Sequence, residues 1–111
     1  MKNFNKLTLG EAERLALLAE EMGEALQIVG KILRHGYESR NPLIEDAENN
    51  RSLLEKELGD VFCAMIFMSD AHDINKEKVN DRARDKTGKV QKWMHHQPLG
   101  MYKTEEPKEE K

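Results

Sequence analysis

Residues 51–71 read RSLLEKELGDVFCAMIFMSDA, and this stretch decides the fold. Leu54, Leu58, Val61, Met65 and Met68 recur at helical spacing, which predicts a helix from about Arg51 to Ala71. Its second half, residues 61–68, is apolar on every side. A helix of that kind needs neighbours all round. Three helices of this length do not enclose it, so the expectation is that a second copy of the chain completes the bundle.

Working outward, the same pattern appears on either side. Thr8 with Glu11 three residues later is a capping box, in which each side chain accepts an otherwise orphaned backbone N–H. It predicts a helix that runs to about Arg34, with Gly36 as a left-handed stop. Residues 37–50 are polar and broken by Asn41-Pro42, with room for one short extra helical turn at residues 43–47. His72 to Asn75 makes the next turn, and a third helix is expected from Lys76 to His95. The fold class is therefore all-α, a bundle of three long helices in one domain over residues 1–97. Residues 98–111 form a flexible polar tail with almost nothing to bury.

Bulk properties agree. A length of 111 residues admits one modest core, and 35% charged against 5% aromatic residues suits helices. The net charge of −3 argues against a general nucleic-acid binder. Charge is segregated, however. Residues 11–24 carry five acids and one base, residues 45–60 six acids and two bases, and residues 76–96 seven bases and three acids. Cys63 is the single cysteine, which points to a reducing compartment. The opening MKNFNKL is no signal peptide and the apolar run at 61–68 is too short for a membrane. A cytoplasmic location, away from membranes, is the expectation.

The chemistry lies in residues that interrupt the apolar faces. Leu17, Glu21, Glu24, Ile28 and Lys31 share one face of the first helix, and Leu53, Glu57, Asp60, Ala64 and Phe67 share one face of the second. Acids three apart are common on solvated helices, and either pair alone reads that way. Two pairs in line with apolar residues are different, because close carboxylates that lose hydration repel one another. A divalent metal resolves both problems, and an all-carboxylate donor set suits Mg²⁺, with Mn²⁺ as the substitute. No His follows a Glu by three, which sets a di-iron bundle aside. On the third helix Val79, Ala83, Lys86, Val90 and Trp93 form the expected inward stripe. Lys86 interrupts it, with Lys89 and Lys92 on adjoining faces. The plain reading of Lys86 is a snorkelling border lysine.

With these residues in place, the chain resembles the MazG-like nucleoside triphosphate pyrophosphohydrolases, a compact phage and bacterial branch. Glu21-Met22-Gly23-Glu24 resembles the Glu-x-x-Glu of that family, and Glu57-Leu58-Gly59-Asp60 its Glu-x-x-Asp, with 32 residues between Glu24 and Glu57. The stretches Lys31 to Gly36, Asn50-Arg51 and Lys89 to Met94 look similar to that branch as well. The resemblance implies Mg²⁺-dependent cleavage of an NTP or dNTP between the α- and β-phosphates, giving NMP and pyrophosphate. It implies metal ligation and catalysis by Glu21, Glu24, Glu57 and Asp60, and a homodimer or homotetramer. Lys31, Lys86 and Lys89 are phosphate candidates, and Asn50 and Trp93 candidates for base or sugar. Glu20 reads either as a solvated neighbour or as the base, and its position off the acid line favours the first. The competing class is a non-catalytic helical interaction protein that keeps the acids.

Overall fold

The computed structural model describes residues 4–97. Helix α1 (Leu9–His35), α2 (Asn50–Asp70) and α3 (Lys76–Val90) follow in order, with a single 3₁₀ turn at Gln91–Trp93. Among the described residues there is no strand; Arg40 and Asn49 make one isolated antiparallel bridge. The fold is all-α. The expected tail lies outside the described residues.

Two units are distinct, Met1–Asp73 with α1 and α2, and Ile74–Lys111 with α3. In the first, each helix end has a local cause. The Thr8 hydroxyl accepts from the Glu11 N–H at 3.1 Å and the Thr8 N–H donates to the Glu11 carboxylate at 2.8 Å. Gly36 ends α1, its N–H donating to Ile32 O at 2.7 Å. It does so at φ 92 and ψ 165, not in the left-handed helical region expected. This is backbone that glycine alone adopts without strain. Asn49 caps α2, its side chain accepting from Ser52 N–H at 2.9 Å.

The short helix foreseen at residues 43–47 is absent. Ile44 and Ala47 donate to carbonyls three residues back, and Asp46 at φ 59 turns the chain out of any helix. The loop is tied instead to the start of α2. Arg51 donates twice to Glu38 and lies 4.4 Å over the Tyr37 ring. Asn49 Nδ2 reaches the other Glu38 oxygen at 2.9 Å.

At the opposite end Arg14 makes a two-point ion pair with Asp73, at 2.6 and 3.1 Å. A bond from the start of α1 to the residues beyond α2 requires the two helices to run antiparallel. Between these fastenings the buried apolar residues among those described are few, and two of the four are alanines: Ala25, Ile28, Ala64 and Met68. The inward line differs from the one expected at its ends. Ile32 and Met68 are the covered residues, while Lys31 and Phe67, about 100° round the helix from them, stand exposed.

Large apolar side chains are left outside. Met22, Leu26, Val29 and Leu33 form an exposed stripe on α1, and Leu58, Phe62 and Ile66 one on α2.

In the second unit Asn75 caps α3, accepting from Lys78 N–H at 2.9 Å. The helix ends at Val90, five residues before the expected end. Thr87 and Gly88 are poor helix formers; the Thr87 hydroxyl bonds back to Ala83 O, and Met94 is extended. No residue of α3 is buried; along the expected stripe Val79 and Val90 are half-buried, Ala83 and Lys86 exposed, and Trp93 77% exposed. Among the described residues no helix is long and apolar enough to cross a membrane.

The Arg14–Asp73 pair has a pH signature. Hydrogen bonding to Arg14 holds the Asp73 carboxyl below the usual aspartate range, against an opposing effect of burial. The pair therefore contributes stability above the pH where an unfolded aspartate ionises, and that contribution is lost as pH falls through the depressed value. Arg14→Met is expected to lower the melting temperature at neutral pH, and the gap to the wild type should narrow in strong acid. Thermal melts followed by circular dichroism at the two pH values check this; an unchanged neutral melting temperature would rule the fastening out.

Candidate metal centre

The mid-sections of α1 and α2 carry acids where packing alone would place leucines. Because the helices run antiparallel, Glu21 and Glu24 on one meet Glu57 and Asp60 on the other. One carboxylate oxygen from each of the four lies within 4.8 Å of the rest. Glu21 and Glu57 are half-buried and Asp60 is exposed, so the cluster is open on one side.

Two atoms mark the covered side. Glu21 Oε1 and Glu57 Oε1 are both shut off from solvent, and neither has a hydrogen-bond partner. A buried carboxylate oxygen without a donor is costly, and each lies beside further carboxylates. Burial pushes the Glu21 carboxyl up, and the charges of Glu24, Asp60, Glu20 and Glu57 add to the effect. Burial likewise raises Glu57, with Glu24 and Asp60 reinforcing it and Lys56 opposing. Lys56 does not neutralise the cluster by contact, because its ammonium is held 2.7 Å from Glu48. Four hard oxygen donors, two of them orphaned, fit a divalent cation such as Mg²⁺ or Mn²⁺ and do not fit zinc or copper.

The remaining candidate residues fall into two groups. Lys31 and Asn50 line a cleft of about 780 Å³ at the loop end of the first unit. With them stand Arg34, His35, Ser39 and Arg40, side chains that the sequence pattern did not single out as site residues. Their signal was the basic end of α1 next to a Pro-broken loop. Asn50 is buried, and its Nδ2 donates to Gly36 O at 3.1 Å. Lys86, Lys89 and Trp93 belong to the second unit, where Lys89 pairs with Asp85 at 3.2 Å. Glu20 is exposed on α1, as expected of a solvated neighbour.

The family described as the MazG nucleotide pyrophosphohydrolase domain matches residues 10–95, from the first turn of α1 to beyond the 3₁₀ turn. No curated protein and no solved structure matches the chain.

The raised carboxyls make a prediction for protein stripped of metal by chelator. Groups raised by the fold favour the folded state at low pH, and that contribution is lost as pH rises through the raised values. Between the ordinary glutamate range and neutrality, the cluster should thus destabilise the chelated protein progressively. Glu57→Gln removes one charge and keeps the shape, so its melting temperature at neutral pH should exceed that of the chelated wild type. An equal or lower value would show that the four carboxylates do not strain the fold.

Proposed function

The chain belongs to the MazG nucleotide pyrophosphohydrolase family, and on that premise we propose that it cleaves a nucleoside or deoxynucleoside triphosphate between the α- and β-phosphates, with Mg²⁺ held by Glu21, Glu24, Glu57 and Asp60. As a member of that family it is a hydrolase of phosphorus-containing anhydrides. The observation that carries the proposal is the meeting of four carboxylates with two orphaned, covered oxygens on facing helices.

When bound, Mg²⁺, or Mn²⁺ in its place, neutralises phosphate charge and makes a coordinated water more acidic. The chain's own residues do the rest. The four carboxylates would hold the cation against which the triphosphate's charged end rests, and one of them accepts the proton of the attacking water. Lys31, on the same face of α1 two turns past Glu24, meets phosphate oxygens from the cleft side. Its ammonium stabilises the charge that grows on the leaving pyrophosphate. Lys86 and Lys89 are assigned to phosphate from their charge and sequence position, and Lys86 is the stronger candidate because Lys89 is already paired with Asp85. Asn50 and Trp93 are assigned to base or sugar.

The assembly proposed is a homodimer or homotetramer. Its support is the exposed stripes of Met22, Leu26, Val29 and Leu33 on α1 and of Leu58, Phe62 and Ile66 on α2, large apolar side chains at helical spacing. A Cβ added at Gly23 or Gly59 would meet nothing within 4 Å, so neither glycine is demanded by packing between α1 and α2. Residues 1–97 form the catalytic domain in this reading.

Incubation with Mg²⁺ and a panel of nucleotides should release NMP and pyrophosphate, resolved by chromatography; release of orthophosphate would overturn the cleavage position. Glu24→Gln and Asp60→Asn should each reduce turnover by roughly 10²–10⁴-fold while circular dichroism stays unchanged. Near-normal activity in either would remove the site. Lys86→Met should fold normally and lose roughly ten- to a hundredfold in kcat/KM. Wild-type kinetics would return it to a border lysine. Sedimentation should find no folded monomer at micromolar concentration, and a stable monomer there would end the assembly proposal.

A further inference from the structure

One row of side chains joins the start of α2 to the acid cluster. Ser52, Lys56 and Asp60 follow at intervals of four along the helix, and Glu48 lies four residues ahead of Ser52, just before the Asn49 cap. Residues four apart are neighbours on a helix surface. Lys56 thus stands between two acids of the row, Glu48 and Asp60, and immediately precedes Glu57. It leans to Glu48. Its ammonium is 2.7 Å from one Glu48 oxygen, and the Ser52 hydroxyl donates to the other at 2.6 Å. Among the described residues Lys56 makes no other ion pair. The helix itself favours this direction, because its side chains tilt toward the N-terminus, where Glu48 is. A lysine four residues before an acid is also the weaker order of such a pair. Glu48 is held below the ordinary glutamate range by its bonds to Lys56 and Ser52. The Lys56 ammonium is raised by Glu48 first, and the charges of Glu57 and Asp60 add to the effect. The lysine feels the cluster without touching it.

We propose that Glu48 is a positioning residue for the metal centre: it holds the Lys56 ammonium off the four carboxylates and so keeps their oxygens free for a divalent cation. The proposal rests on the metal reading above and adds to it a residue outside the cluster that governs cation affinity. The chemistry is a competition. A lysine released from Glu48 has Asp60 as the next acid on its row and Glu57 beside it. An ammonium on those oxygens neutralises part of the cluster, and a divalent cation has then to displace it against like-charge repulsion. With Glu48 in place the ammonium is occupied at the far end of the row. The acids then meet the cation with their full charge. Lys56 and Glu48 are 63% and 43% exposed, so the pair contributes little to stability and its removal leaves the fold intact. Its consequence is read in affinity.

Calorimetric titration with MnCl₂ of the chain freed of metal by chelator tests this without turnover. Low ionic strength is used, where exposed charges are least screened. Glu48→Ala should weaken Mn²⁺ binding roughly three- to tenfold. Adding Lys56→Met to Glu48→Ala should bring the affinity back to within about twofold of the wild type, because the released charge is gone. Glu55→Ala removes an acid next to Lys56 on the same helix without freeing a lysine, and should also stay within about twofold. Unchanged or tighter binding in Glu48→Ala would overturn the proposal and leave the metal centre standing. So would a loss that persists in the double variant, or one that Glu55→Ala reproduces, since either traces the effect to net charge and not to Lys56. A wild-type chain that binds no Mn²⁺ would overturn the metal reading itself, and this proposal with it.

Discussion

Four carboxylates at the contact of α1 and α2 set the terms for everything else in the first unit. They occupy the middle of the helix pair, where an ordinary hairpin of helices would place its largest apolar side chains. In their absence the covered apolar set is Ala25, Ile28, Ala64 and Met68, which is little to hold 27- and 21-residue helices together. The pair is correspondingly fastened at its ends. Arg14 and Asp73 close one end. At the other, Glu38 gathers Arg51 and Asn49 while Asn50 holds Gly36 O. Polar bonds at both ends thus hold the middle at a spacing where four acids meet and two oxygens have no donor. The helices are held close in spite of the acids between them, and a cation bound there would turn repulsion into cohesion.

The same displacement of apolar residues explains the outer surface. Leucine, methionine and phenylalanine are present in quantity, but on stripes that face away from the α1–α2 contact. A face spaced at helical intervals, as Met22, Leu26, Val29 and Leu33 are, has the form of a packing surface. Stability and site compete for the inside of one helix pair. Shifting the apolar load to the outside removes the competition, at the cost of requiring something to cover it.

The acid pairs were legible because their signal is local: two residues three apart, in line with apolar neighbours, twice. The capping box at Thr8 was legible for the same reason. What was not legible came from geometry beyond a few residues. The stripe was placed well at Ile28 and Ala64 but carried on to Lys31 and Phe67, where Ile32 and Met68, about 100° further round the helix, are the covered residues; the choice between a step of three and a step of four is set by what packs opposite, which spacing alone does not carry. On α3 the pattern promised an inward face that the helix does not bury, because a spacing says which residues align and not whether anything stands opposite them. The early end at Val90 turned on Thr87 and Gly88, whose low propensity the longer pattern outweighed. The loop could not be read at all, since Glu38, Arg40 and Asn50 matter through partners 10 or more residues away or through bonds to backbone.

That loop is where selectivity has room to reside. The acid cluster is built from rigid helix positions whose side chains are all of one kind, so it can recognise charge and little more. Discrimination among ligands with the same charged end needs groups that differ from one another and are held in fixed directions. The cleft has these: cations on the last turns of α1, a backbone-tied Arg40, and a buried carboxamide at the first residue of α2. Arg40 and Asn50 are held by bonds independent of the cluster. Changes at these two residues can therefore alter what the cleft accepts without disturbing the four carboxylates, whereas any change to the carboxylates alters the contact on which both helices depend.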